Sequence, residues 1–174
     1  MEMPPDTRNA PKERDTSLVK WLNPGEQAAW RGLLRMQAQL GAHLGRGLAA
    51  RSGLSLQDYG VLVALEEQPQ GRLRAYELGC ELGWEKSRLS HHIARMQSRG
   101  LVERVPCPGD QRGQYVVITG AGRRALDAAA PAHVTEVRDI FVDRLSPAQL
   151  STLAEISAVV LTALEGTESG VRRP

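Results

Sequence analysis

Lys86, Ser87, Arg88, Ser90, His91 and Arg95 fall within one short stretch, and Arg112 follows two positions after Asp110 further along. These side chains are cations and hydrogen-bond donors, and the chemistry they offer is recognition of an anion. An arginine can read guanine through two parallel hydrogen bonds, whereas serine and histidine make shorter, less selective contacts. An arginine on an exposed turn can enter a narrow minor groove, where the negative potential is enhanced. From 84 to 124 there are eight basic residues and three acidic ones, a surplus of five in a chain whose net charge is +2, so the remainder is negative by three. A near-neutral protein that gathers its positive charge on one segment is built to meet a polyanion. The plain alternatives are a solvated helix face for residues 86–95, against which the local charge surplus weighs, and an ordinary ion pair for Asp110 and Arg112.

The elements that must position these residues are legible around them. Leu89, Ile93 and Met96 recur at i, i+4 and i+7, the apolar stripe of an amphipathic helix, and the polar residues above fall mostly on its other faces. Gly100 closes that helix. Leu101–Val105 and Tyr115–Thr119 read as paired strands, with Pro106, Pro108, Gly109 and Gly113 in the turn between them. Ala75–Leu82, the turn at Gly83 and the helix from Glu85 form a helix-turn-helix. Upstream, Asn23-Pro24-Gly25-Glu26 starts a helix, with Asn as cap and Glu to answer the cap amide. Trp30, Leu33, Leu34, Leu40, Leu44 and Leu48 carry it to about Arg51. At about 1.5 Å per residue it spans roughly 40 Å, longer than a small lobe needs, which suggests a partner chain. Ser55–Asp58 opens the next helix by the same capping logic, Gln68–Gly71 ends it, and Leu73 can supply a short strand. Thr119 caps a helix from Gly120 to about Leu145, bent at Pro131. Ser146–Gln149 opens a last helix, along which Leu150, Leu153, Ile156, Val160 and Leu164 form a stripe. Met1–Ser17 has almost no apolar side chains and is expected to be disordered, and the end from Gly166 is expected to fray.

Ser87–Leu101, followed by Asp110-x-Arg112-x-x-x-Val116-x-Ile118-Thr119-x-x-Gly122, resembles the MarR family of bacterial transcription regulators, and with the flanking helices the likeness spans roughly residues 24–165. The resemblance implies a mainly α fold with a β wing: a winged helix-turn-helix whose N- and C-terminal helices form a dimerisation domain. It assigns 54–122 to DNA binding, 18–53 with 123–166 to dimerisation, and 1–17 and 167–174 to tails. It makes the helix ending at Gly100 the recognition helix, the hairpin the wing, and Asp110 the residue that orients Arg112. The expected partners are double-stranded DNA, carrying a pseudo-palindromic operator, and a second copy of the chain. A small aromatic or anionic effector is a further implied partner, in a pocket where Trp21 and Trp30 are the candidates, and the implied role is that of a repressor.

Other chemistries find little support. There is no G-x-S-x-G, H-E-x-x-H, phosphate-binding loop or dinucleotide fingerprint, so no enzyme and no cofactor are expected. Adjacent His91 and His92 diverge by about 100° on a helix and are poor co-ligands, so no metal is expected; His92, flanking the stripe, reads as a packed, hydrogen-bonded histidine. Cys80 reads as a small core residue and Cys107 as an exposed wing thiol beside Arg104 and Arg112. That thiol leaves a redox-sensing regulator as a minor alternative, and a helical interaction module without specific DNA binding is the rival from another class. No apolar run of membrane-spanning length and no signal segment are evident, so a cytoplasmic protein without membrane contact is expected.

Overall fold

The computed structural model describes residues 19–171, save the side chains at 111, 112, 165 and 167–171. The disordered tail expected over 1–17 and the residues from 172 onward lie outside the described residues. Contacts divide the chain into a unit ending at Gln39 and a unit beginning at Leu40, each taken by itself below.

Helix α1, Pro24–Ser52, begins in the first unit and ends in the second. Its start is the capping box read from the sequence: Asn23 N–H donates to Glu26 Oε2 at 2.8 Å and Glu26 N–H to Asn23 Oδ1 at 2.9 Å. In the first unit Trp21, Trp30, Leu33, Leu34 and Met36 are all exposed.

The second unit holds the core. After the last turns of α1 come α2 (Leu56–Glu66), β1 (Arg72–Arg74), α3 (Ala75–Leu82), α4 (Lys86–Ser98), β2 (Val102–Cys107), β3 (Asp110–Ile118), α5 (Gly120–Ile140), a short 3-10 turn at Val142–Arg144, and α6 (Pro147–Val171). The strands form one antiparallel sheet in the order β1-β3-β2. Leu48, Leu54, Val61, Leu62, Leu65, Leu78, Ile93, Met96, Val102 and Val116 are almost wholly enclosed. The core therefore draws on α1, α2, α3, α4 and the sheet, with Leu126 and Ala129 of α5 added at one side. Two glycines are required by geometry. Gly100 has φ +71°, which only glycine adopts without strain, and it turns the chain from α4 into β2. At Gly122 a β-carbon would strike the Leu101 carbonyl oxygen, so glycine lets the start of α5 close on the sheet.

Several expectations are corrected. The hairpin is tighter than the sequence suggested: Pro106 and Gly113 lie in strands, leaving Pro108 and Gly109 at the tip, with Gly109 at φ +79°. α5 stops at Ile140 rather than near Leu145, and the 3-10 turn follows. α6 runs through Gly166 to Val171, since one interior glycine costs a helix only about 1 kcal/mol. The cysteines exchange environments: Cys80 is exposed and Cys107 buried. On α3 it is Leu78 and Gly79 that face the core, which turns Cys80 outward. In β2 the register shifts between Pro106 and Cys107, which brings Cys107 back to the inner face. Finally, Pro147–Leu164 reaches a mean hydropathy of 1.3 and is, by length and composition alone, apolar enough to cross a membrane. Gln149, Ser151, Thr152, Glu155 and Ser157 interrupt this stretch, so it is not a continuous apolar run.

Candidate nucleic-acid interface

α3, the turn and α4 form the helix-turn-helix. Gly83, at φ +62°, ends α3, and Trp84 N–H returns to the Gly79 carbonyl at 2.8 Å. α4 then presents two unlike faces. Leu89, His92, Ile93 and Met96 are buried against the core, while Lys86, Ser87, Arg88, Ser90, His91 and Arg95 are exposed. The six helix residues singled out in the sequence are thus brought together on one solvent-facing surface.

Three of the cations near this surface are held by specific partners. The Arg88 guanidinium lies 4.7 Å from the centre of the Trp84 ring, a cation–π contact. Arg95 Nη2 stands 2.9 Å from His92 Nδ1. Arg99, in the C-cap position, donates to Asp58 Oδ2 at 2.7 Å and to the Gly53 carbonyl at 2.8 Å, tying the end of α4 to the loop before α2. Asp58 is itself buried and closes the α2 capping box, with Ser55 N–H donating to its Oδ2 at 2.9 Å. Burial would raise its pKa, but the Ser55 N–H and the Arg99 guanidinium outweigh that and hold the carboxyl below its ordinary value. His92 is also buried, with Nε2 3.0 Å from Asp58 Oδ1. Desolvation pushes its pKa down, Asp58 opposes that, and Arg95 and Arg88 reinforce it.

The wing is fastened to α4 and to β1. Arg104 of β2 donates to the Ser90 carbonyl at 2.9 Å, so part of Ser90's polar capacity is already committed. Arg72 and Arg74 of β1 lie over the Tyr115 ring of β3, at 4.5 and 5.9 Å from its centre. Asp110 receives the Gly113 N–H at 3.0 Å and Arg74 at 3.3 Å. Arg112 lies on β3 beside the tip, and its side chain is outside the described residues. Arg72 and Arg74 are not among the residues singled out in the sequence, and Arg104 enters there only through the charge of its segment. The signal available was Arg-Leu-Arg around Leu73: in a strand the two arginines share one face.

An open cleft of about 630 Å³ runs beside α4, lined among others by Ser55, Asp58, Arg88, His91, Arg95 and Arg99. In the first unit Trp21 and Trp30 are exposed, at 72% and 53%. Among the described residues no group of three or more His, Cys, Asp or Glu side chains could hold a metal ion.

Comparisons with known proteins agree with this architecture. The sequence profile of the MarR family matches residues 52–113. The crystal structure of Sco3205, a MarR family transcriptional regulator from Streptomyces coelicolor in complex with DNA, is similar with a TM-score of 0.81. Its sequence is 40% identical to this chain, over 84% of this chain and 92% of Sco3205. The transcriptional regulator HosA of Escherichia coli O111:H- is 41% identical over 61 residues, which is 35% of this chain and 44% of HosA. The transcriptional repressor MprA of Escherichia coli K12 is 24% identical over 135 residues, 78% of this chain and 76% of MprA.

Proposed function

The chain belongs to the MarR family of transcriptional regulators, and on that premise we propose that it is a cytoplasmic repressor that binds a pseudo-palindromic operator as a homodimer. The observation that carries this is the two-faced α4: an apolar side locked into the core and a side presenting Lys86, Ser87, Arg88, Ser90, His91 and Arg95 to solvent. Such a helix fits the major groove, and a dimer would place two copies one helical turn, about 34–36 Å, apart. Residues 54–122 would bind DNA, with Arg112 at the wing tip in the flanking minor groove and Asp110 orienting it, while 18–53 and 123–166 would dimerise. The DNA complex of Sco3205 and the repressor role of MprA support the reading.

A small aromatic or anionic effector would release the DNA. The arginine-lined cleft beside α4 supplies cations for such an anion, and an anion seated there would compete with DNA for Arg88 and Arg95. Trp21 and Trp30 are the aromatic candidates for the effector pocket, and a second copy of the chain would enclose them. Selection of bound duplexes from random DNA tests the function. Enrichment of an inverted repeat with half-sites about one turn apart is expected, and a bound pool no different from the input overturns specific binding.

A further inference from the structure

Beneath the exposed face of α4 four side chains are linked in a row, with Arg95 at its solvent end. Arg99 engages Asp58 Oδ2 at 2.7 Å, Asp58 Oδ1 faces His92 Nε2 at 3.0 Å, and His92 Nδ1 meets Arg95 Nη2 at 2.9 Å. The two central members are buried, at 4% and 7% exposure, whereas Arg95 reaches solvent. The protonation state follows from what each partner can do. A guanidinium has donors and no acceptor, so the contact at 2.9 Å requires the lone pair of Nδ1 to receive Arg95. The ring proton then sits on Nε2, toward the Asp58 carboxylate, although off the line of a straight hydrogen bond.

We propose that His92 is a positioning residue for DNA recognition: it holds the Arg95 guanidinium in place on α4 by accepting its N–H at Nδ1, and a proton gained at Nδ1 releases that arginine. The inference rests on α4 being the helix that reads DNA. A second proton would set an N–H against the guanidinium, leaving two donors face to face where a hydrogen bond had been. Arg95, the solvent-exposed partner, is free to swing away, whereas the imidazolium stays beside Asp58. The charged groups facing His92 are Asp58 from α2 and Arg88 and Arg95 from α4, with Arg99 acting through Asp58. From the α3–α4 turn comes the uncharged Trp84 ring, edge-on at 5.0 Å. Two cations and burial oppose the second proton, so Arg95 is held at neutral pH and freed on acidification.

The test uses the full chain and two fluorescein-labelled duplexes: the best site recovered by selection from random DNA, and a scrambled duplex of the same composition. Affinity for each is measured between about pH 5 and pH 8, where histidine titrates. The ratio of the two affinities cancels the general gain in phosphate attraction as the protein's net charge rises in acid. Wild type is expected to lose about five- to tenfold of this ratio in acid, the low end of what one base-reading arginine supplies. His92→Leu, with no acceptor, should show the low ratio at every pH, and adding Arg95→Ala should cost little more. His92→Asn offers an uncharged acceptor near the Nδ1 position and should restore most of the ratio without its pH dependence. Parallel profiles for wild type and His92→Asn would overturn the proposal. In the DNA-free protein, nitrogen NMR of the His92 ring should show titration at higher pH in Arg95→Ala, since a repelling cation has gone. An unmoved titration there overturns the relay whatever the DNA result. Equal affinity for both duplexes at all pH values, with the NMR shift present, instead overturns the operator reading and Arg95's part in it.

Discussion

Asp58 closes a helix cap, receives Arg99 and faces His92, and its carboxylate is almost out of reach of water. Asp58→Asn keeps the shape and removes the charge, which leaves the Arg99 guanidinium without its counter-ion and takes the carboxylate away from Nε2 of the neutral His92 ring. Breaking a buried pair from one side costs about 3–5 kcal/mol. Because Arg99 remains 43% exposed, solvent compensates it in part, and a loss of about 1–3 kcal/mol in urea unfolding is expected. The pH dependence has two windows. His92 has its folded pKa below the ordinary 6.5, so its contribution is complete above 6.5 and declines as pH falls toward the folded value. Asp58 is likewise depressed below 3.8, so its contribution persists above 3.8 and is lost at more acid pH. Stability measured against pH should therefore fall in two steps, with the first missing in His92→Asn. Arg95→Ala, in contrast, should weaken operator binding by about 1–3 kcal/mol and relax preference at one base position per half-site. Equal losses on specific and random duplexes would make Arg95 a phosphate contact. The sequence showed Asp58 as a cap and His92 as a packed histidine, because both follow from local spacing. It could not show Arg99 bonding Asp58, a partner 41 positions away, because long-range pairing leaves no periodic trace.

Among the elements, the helices were legible and the wing only in outline. Capping boxes and apolar stripes are written within one or two turns, which is why the starts of α1, α2, α5 and α6 were readable at Asn23, Ser55, Thr119 and Ser146. A strand's inward side depends instead on register, and one bulge reverses it: the shift between Pro106 and Cys107 put the wing cysteine inside. This reverses the reactivity inferred from charge neighbours. A thiol reagent applied to the folded protein should label Cys80 and spare Cys107, as read by peptide mass spectrometry. Rapid labelling of Cys107 would mean that the wing opens at its tip. The wing's contribution to binding is separable from that of α4. Arg112→Ala should weaken binding and lower the slope of log affinity against log salt by about 0.9 for each phosphate-equivalent charge removed per protomer. Arg112→Lys should rescue only partly, because an ammonium is more strongly hydrated than a guanidinium. The loss should be larger on operators with A·T-rich flanks, whose minor groove is narrow. Titrations of the three proteins at several salt concentrations on both flank types decide it, and unchanged binding by Arg112→Ala leaves the wing a structural hairpin.

At the scale of the whole molecule, the single chain leaves much apolar surface in water. On α6, Ile156, Val159, Val160, Leu161 and Leu164 are each more than half exposed, and in the first unit Trp21, Leu22, Trp30, Leu33, Leu34 and Met36 are exposed as well. A bilayer or a second copy of the chain could cover such faces. The composition of Pro147–Leu164 permits the first, but Gln149, Glu155 and the intervening Ser and Thr residues would be left without water in hydrocarbon, each costing several kcal/mol. A second copy covers the stripes and leaves those polar residues wet. Covering the remaining half of a large apolar side chain returns about 1 kcal/mol. The eleven side chains named would then give roughly 10 kcal/mol per protomer and about 20 per dimer, against an association cost of about 4–15 kcal/mol. The balance favours a dimer that does not dissociate at ordinary working concentrations. Light scattering on the intact chain should give twice the 19.0 kDa mass, with no shift on dilution into the nanomolar range. Deleting 146–174 removes one partner stripe and should produce a destabilised or aggregating protein with lowered DNA affinity, because two recognition helices would no longer be held one helical turn apart. A well-folded monomer after this truncation would place the interface elsewhere.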